Sequence, residues 1–353
     1  MSIVIFLLVL SVLIVSHEFG HFLVARWRGV RVEKFAIGFG PPIIKLKLKD
    51  LDFLICAVPL GGYVKLAGEA QEEFHSRKDE FLAKPLKDRA MIIAAGPTFN
   101  YILAWLVFSF VFIAGFPSYT NKIGKVLDNY PAKTAGLKPG DRIIKVNGEK
   151  IELWQELADK IHKAKTEIKV TILRQGKTIE LSIKPKQKSV KDLLGRPTRI
   201  SFLGITPAPE FKTVPYPFFL SFAKGFKHLI QLSWLTLQSL FYILTGKLSF
   251  KDSVSGPLGI YYVTAQASHM GLGVLLHLVG VLSMSLAIFN FLPIPILDGG
   301  HLFFLGLEKI RGRALSAKSE EVITKFALAF LVALFLFVSY SDMIKFGSKI
   351  FVK

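Results

Sequence analysis

Ile3-Val4-Ile5-Phe6-Leu7-Leu8-Val9-Leu10-Ser11-Val12-Leu13-Ile14-Val15-Ser16-His17-Glu18-Phe19-Gly20-His21-Phe22-Leu23-Val24-Ala25 sets a metal-binding pattern inside an apolar run. From Ile3 to Val15 there is no charge, and Phe22 to Ala25 continues the run beyond the motif. At about 1.5 Å per residue the stretch makes a helix long enough to cross a bilayer. On that helix His17 and His21 are four apart and share a face, so both imidazoles can bind one Zn²⁺. Glu18 stands beside them, placed to act as a general base toward water. Ionisable groups are costly in hydrocarbon, and such a cluster points to function.

The rest of the composition agrees with a membrane protein. Of 353 residues, 51% are hydrophobic, and the mean hydropathy is +0.45. That fits several spans plus a water-facing module. The formal net charge is +19. The lysines are dispersed over loops and the module rather than clustered, so the charge implies contact with anionic headgroups and no nucleic-acid partner. Cys56 is the one cysteine, which excludes an intrachain disulfide and a cysteine zinc site. The N-terminus lacks a basic n-region and an Ala-x-Ala exit, so it reads as an anchor and not as a cleaved signal peptide.

Four spans are expected, at about Ile3–Ala25, Met91–Phe116, Leu272–Leu297 and Val322–Val338. Between the first two, Ile43–Lys49 and Phe53–Val58 alternate like strands and Gly61-Gly62 marks a turn, giving a β-hairpin region at the membrane. Residues 119–209 read as a separate α+β module. Its strands are expected at Lys122–Leu127, Arg142–Val146, Ile168–Leu173 and Thr178–Ile183, and its helix at Leu153–Lys163. Lys184 to Arg199 reads as a basic loop, and Phe202–Ile205 as a last strand. Gly136-Leu137-Lys138-Pro139-Gly140-Asp141 with Val146-Asn147-Gly148 resembles the core signature of a PDZ domain, present once. Phe218–Leu244 carries Lys224, Lys227 and His228 and reads as an amphipathic interfacial helix. The resulting domains are 1–117, 118–209, 210–271 and 272–353. The fold class is an α-helical polytopic membrane protein of four transmembrane helices, with a membrane-associated β-hairpin region and an inserted extracytoplasmic PDZ-like domain.

Sidedness follows from the basic loops. Arg26, Arg28, Arg31, Lys34, Lys84, Lys87 and Arg89 flank the membrane in the first loop, and Lys309, Arg311, Arg313 and Lys318 follow the third span. Both loops are therefore expected in the cytoplasm, and both termini and the PDZ-like module outside.

Two histidines leave a protein-held zinc short of a ligand. Asn290-Phe291-Leu292-Pro293-Ile294-Pro295-Ile296-Leu297-Asp298-Gly299-Gly300-His301 breaks the third span with two prolines and brings a carboxylate to membrane depth. Asp298 is the best candidate, a turn aspartate being its plain alternative, and His301 is a weaker rival.

Together, the HExxH motif in the first span and Asn-x-x-Pro-x-Pro-x-Leu-Asp-Gly late in the third resemble the site-2 protease family of intramembrane zinc metalloproteases. Within it they are nearest to the bacterial regulator of sigma-E protease branch. Gly38-Phe39-Gly40, Gly61-Gly62-Tyr63-Val64, Ala95-Gly96-Pro97-Thr98-Phe99-Asn100 and Ser255-Gly256-Pro257 match as well, so the resemblance covers nearly the whole chain. It implies Zn²⁺ held by His17, His21 and Asp298, with Glu18 catalytic. It implies that Asn290 helps hold substrate and that Gly38, Phe39 and Gly40 belong to a membrane-embedded β-loop lining the substrate cleft. Implied partners are the lipid bilayer and single-pass membrane proteins, cut within their transmembrane segment, such as a trimmed anti-sigma factor or a remnant signal peptide. A C-terminal peptide is a further partner, as ligand of the PDZ-like module. The implied location is the bacterial cytoplasmic (inner) membrane. That branch carries two PDZ domains where this chain shows one. The rival from another class is a zinc-binding PDZ membrane scaffold or sensor without proteolysis.

Overall fold

The computed structural model describes residues 2–191 and 197–351. In chain order the elements are α1 (Ser2–Trp27), β1 (Val32–Leu48), β2 (Leu51–Leu66), α2 (Leu86–Ala114), β3 (Phe116–Tyr119) and β4 (Ile123–Val126). There follow α3 (Pro131–Thr134), β5 (Arg142–Val146), β6 (Glu149–Lys150), α4 (Trp154–Lys163), β7 (Ile168–Arg174), β8 (Lys177–Ile183) and β9 (Lys186–Lys191). Then come β10 (Pro197–Phe202), β11 (Ile205–Pro207), β12 (Phe211–Val214) and α5 (Phe218–Leu244). The chain closes with α6 (Phe250–Ser253), α7 (Pro257–Met270), α8 (Leu272–Asn290), α9 (Asp298–Arg311) and α10 (Ala317–Phe351). Two compact units result: residues 1–111, 218–237 and 249–353 form one, and residues 112–217 and 238–248 the other.

In the first unit, four helices are long and apolar enough to cross a membrane: α1, α2, α8 and the Lys318–Phe346 stretch of α10. Phe218–Leu244 is not among them. Two expected boundaries shift. The third span ends as a helix at Asn290 rather than Leu297, because Pro293 and Pro295 lack the N–H a continuing helix needs. The last helix extends well past Val338, to Phe351.

Helix α5 buries Ser221, Gly225, Leu229 and Ser233, one side of the helix at four-residue spacing. That side packs on α2 and α8 through Leu229 with Ala104, Phe108 and Met284. Trp105 Nε1 donates to the Phe222 carbonyl at 3.0 Å.

Strands β1 and β2 fold back on themselves. Lys34–Ile37 pairs with Asp52–Ile55 on one side and with Gly62–Lys65 on the other, while Ile44–Leu48 pairs with Leu51–Ile55. The spatial order is therefore 44–48, 51–55, 34–37, 62–66, which leaves Gly62–Leu66 as an edge. Phe35, Leu51 and Leu66 pack with Ala25 of α1 and Ile92 of α2, so one side of this sheet is pressed onto the helices.

The second unit has a four-stranded antiparallel sheet in the order β6-β5-β7-β8. Its core takes Ile143, Val146, Leu157, Ile161, Ile168, Val170, Ile172 and Leu203, with α4 packed on it. The expected strands and helix all form. The basic stretch expected as a loop over Lys184–Arg199 is strand where it is described: Lys186–Lys191 (β9) and Pro197–Phe202 (β10) pair antiparallel from Lys186↔Phe202 to Lys191↔Pro197, while residues 192–196 lie outside the described residues. The alternating Lys-x-Lys pattern is strand periodicity, hidden by its charge. The expected last strand Phe202–Ile205 is divided, Phe202 ending β10 and Ile205 starting β11, which pairs with β4. A further strand, β12, pairs with β3.

The Gly-Leu-x-Pro-Gly-Asp turn is held by its aspartate. Asp141 is 2% exposed, accepts from Arg174 Nε and Nη2, each at 2.7 Å, and accepts the Lys138 N–H at 2.8 Å. Burial pushes its carboxyl up, but the Arg174 fork and the Lys138 amide outweigh burial and hold it below the usual range. Nearby, Lys150 and then Lys212 hold the Glu152 carboxyl down to about 2. A depressed carboxyl contributes stability above its unfolded pKa and loses it as pH falls through the folded one. The module is therefore expected to be fully stable above about pH 4 and to loosen progressively below it. Asp141→Asn should cost about 1.5–3 kcal/mol and flatten part of that acid dependence. Hydrogen exchange of the β5 and β7 amides in the full-length protein, corrected for intrinsic rates, checks both.

Candidate active site

Helix α1 carries His17 and His21 one turn apart, and α2 comes close enough to press against them. Gly20 faces the backbone of Ala95, where a Cβ would sit 2.8 Å from the Ala95 carbonyl carbon. A Cβ on Gly96 would strike His21 Nε2 and stand 2.8 Å from His17 Cε1. Only glycine lets α2 serve as the floor beneath both rings. His21 Nδ1 pairs with the Ile92 carbonyl at 2.8 Å. The tautomer assigned by that bond leaves a lone pair on Nε2.

Asp298 is the first residue of α9, just past the Pro-broken turn. Its carboxylate meets both histidines: Oδ2 lies 3.1 Å from His17 Nε2 and Oδ1 lies 3.5 Å from His21 Nε2. The two Nε2 atoms are 3.2 Å apart. Among the described residues, these three form the one group of at least three His, Cys, Asp or Glu able to hold a metal ion. A tetrahedral ion bonded at about 2.0–2.1 Å keeps its ligands roughly 3.3–3.4 Å apart. The three separations match that spacing, and two imidazole nitrogens with one carboxylate are a donor set suited to zinc.

Glu18 lines the same cavity as the three donors and also borders the sheet. A Cβ on Gly62 would lie 3.4 Å from Glu18 Cγ, and the Glu18 carboxylate interacts with the backbone N–H of Val64. The strand edge beside the site is therefore Gly62–Leu66. Gly38 is buried, Phe39 and Gly40 are exposed, and none of the three is among the cavity-lining residues; Phe39 pairs with Val58, and its ring stacks on Tyr63 at 6.4 Å. A cavity of about 710 Å³ joins these parts, lined by His17, Glu18, His21, Tyr63, Val64 and Asp298 among others. His301 also lines it but stands outside the three-donor group. Asn290, the last residue of α8, is not among the lining residues.

A helix-borne His-Glu-x-x-His facing an aspartate within a bundle of apolar helices defines an intramembrane metalloprotease. The family model described as Peptidase family M50 matches residues 5–334. A protein of Agrobacterium fabrum named "Putative zinc metalloprotease" is 33% identical over 96% of this chain and 94% of its own length. One of the same name from Clostridium acetobutylicum is 34% identical over 97% of each chain. Among solved structures, the PDZ domain of an SdrC-like protein from Listeria innocua is 29% identical, covering 26% of this chain and 96% of that one at a TM-score of 0.20. The chain belongs to peptidase family M50, the site-2 proteases. It is a multi-pass membrane metalloprotease, and the names of its relatives imply zinc.

Gly96 and the Gly62–Val64 edge belong to motifs that are legible in the sequence, but their places at the site are not. No periodicity carries that information, because both act by close approach to a distant helix.

Proposed function

We propose that this chain hydrolyses peptide bonds within the transmembrane segments of single-pass membrane proteins, using Zn²⁺ held by His17, His21 and Asp298. The observation that carries this reading is the convergence of those three donors beside Glu18. Bound zinc supplies Lewis-acid chemistry, polarising the peptide carbonyl and acidifying water. Glu18 takes a proton from the attacking water and delivers it to the leaving amine. The Ile92 carbonyl fixes the His21 ring. A substrate helix must unwind before its carbonyl is accessible. The Gly62–Leu66 edge offers backbone groups to an extended segment next to Glu18. Gly38–Gly40 supports that edge through the Phe39–Tyr63 stack, and Asn290 orients the substrate from the end of α8. Anti-sigma factors already trimmed outside the membrane and remnant signal peptides fit this requirement. The PDZ-like module takes a C-terminal peptide as its ligand.

The decisive experiment pairs metal analysis with cleavage of a single-pass substrate by the reconstituted protein. Asp298→Ala should lose more than the roughly 10- to 100-fold in zinc affinity that loss of a ligand's hydrogen-bond partner costs, with activity falling in step. Full zinc occupancy in that variant would move the third ligand elsewhere.

The site reading also requires a topology. The module and both termini lie outside the cytoplasmic membrane, and the loops at Arg28–Arg89 and Lys309–Lys318 lie inside. In a Cys56→Ala background, single cysteines at Lys150 and Lys251 should both react with an impermeant thiol reagent added to intact cells. Labelling at Lys150 with protection at Lys251 would make α5 a fifth span and overturn this topology.

A further inference from the structure

Residues 115–217 carry twenty Lys and Arg against ten Asp and Glu, a net of +10. The structure does not spread this excess evenly. Asp141, Glu149, Glu152 and Glu210 are each held by lysine or arginine on the module's own strands and helix. Lys186 and Lys188 alternate along β9, so their side chains share one face, and Lys184 precedes them at the same spacing in sequence. Lys186 and Lys188 gather around one aromatic ring. The Lys186 and Lys188 ammonium groups lie 5.9 and 6.0 Å from the centre of the Tyr130 ring, and Lys188 Nζ donates to the Tyr130 hydroxyl at 3.2 Å. Lys184 and Lys186 also line an open cleft with Tyr130 and Ile183. Its acidic residue, Asp128, is paired with Lys133 at 3.4 Å.

We propose that this face of the module, built from Lys184, Lys186, Lys188 and Tyr130, docks on the anionic phospholipid headgroups of the bilayer in which the spans sit. Two observations choose lipid over an acidic protein. The lysines are presented with a tyrosine, the combination of cation and amphipathic ring that suits the headgroup layer. The module is also tethered at both ends: Gly115 alone separates α2 from β3, and Pro215–Pro217 alone separate β12 from α5. A module joined to the spans by linkers this short samples the bilayer surface at high effective concentration, so even weak contacts can be occupied. Each lysine near an anionic surface strengthens docking about fivefold, and three together on the order of a hundredfold. Docking goes beyond the peptidase reading and does not depend on it: the face lies in the module and shares no residue with the metal site. It would set where the module holds a C-terminal peptide relative to the membrane.

The test uses full-length protein in nanodiscs, with a fluorophore on Thr134→Cys, a lining residue of the cleft, in the Cys56→Ala background. The nanodiscs contain lipid carrying a headgroup quencher, with phosphatidylcholine alone or mixed with phosphatidylglycerol. Quenching should rise when phosphatidylglycerol is present. It should fall back when NaCl is raised from about 0.1 M to about 1 M, which shortens the screening length from about 10 to about 3 Å. The triple variant K184Q/K186Q/K188Q should abolish the rise while keeping its zinc content and its cleavage rate in detergent. Equal quenching in neutral and anionic nanodiscs, or a rise that survives in the triple variant, overturns the proposal. A response to soluble polyglutamate without one to phosphatidylglycerol also overturns it, and assigns the face to an acidic peptide.

Discussion

Glu18→Gln should abolish measurable cleavage, a fall of about 10²–10⁴ in kcat, while zinc stays bound. The exchange keeps the size and shape of the side chain and removes its ability to take a proton. His17, His21 and Asp298 are untouched, and the Gly62–Val64 edge that faces Glu18 still finds a polar group there. Substrate binding should therefore survive, so a trapped, uncleaved complex is part of the expected result. Metal analysis and a cleavage assay on the same purified sample check it. A Glu18→Gln variant that cuts at a sizeable fraction of the original rate would remove Glu18 from the mechanism.

Gly96→Ala should come close to the same loss by the opposite route, with the proton-transfer group intact and the metal weakly held. The added methyl would strike His21 Nε2 and crowd His17 Cε1 at 2.8 Å. Either the rings turn away or α2 is displaced. A misplacement of about 1 Å at a reacting centre costs on the order of 100-fold in rate, and a mis-set ligand costs about 10- to 100-fold in metal affinity. Gly306→Ala in α9 is the matched control. Nothing lies within 4 Å of the added carbon there, so activity should be unchanged and the helix slightly firmer, by up to about 1 kcal/mol. If Gly96→Ala retains full zinc, the close approach of α2 is not what shapes the donor set.

The two predictions differ in how far the sequence anticipates them. Glu18 is legible directly, because HExxH fixes its neighbours on one helix and the apolar run fixes that helix in the membrane. Asp298 is legible through its prolines, which end one helix and let a carboxylate begin the next. The strands of the module follow from alternation and turn residues. The β9–β10 pair escapes such a reading because a charged strand loses the apolar alternation by which strands are recognised. The boundary at Asn290 is masked because apolar residues continue through the turn to Leu297. The strand beside Glu18 is not legible at all. Hydropathy assigns strands, but which of four becomes the edge depends on the doubled-back register of β1 and β2, set by long-range pairing.

The donors lie about 280 residues apart in sequence, His17 and His21 in α1 and Asp298 at the start of α9. During biosynthesis the first helix enters the bilayer long before α9 exists. At roughly 5–20 residues per second, the nascent chain spends on the order of fifteen to sixty seconds with its histidines in place and no aspartate to complete them. A hydrolytic centre loose among half-inserted neighbours would threaten every helix leaving the same translocon. Splitting the centre across the polypeptide delays its birth until α9 and everything between it and α1 have been made.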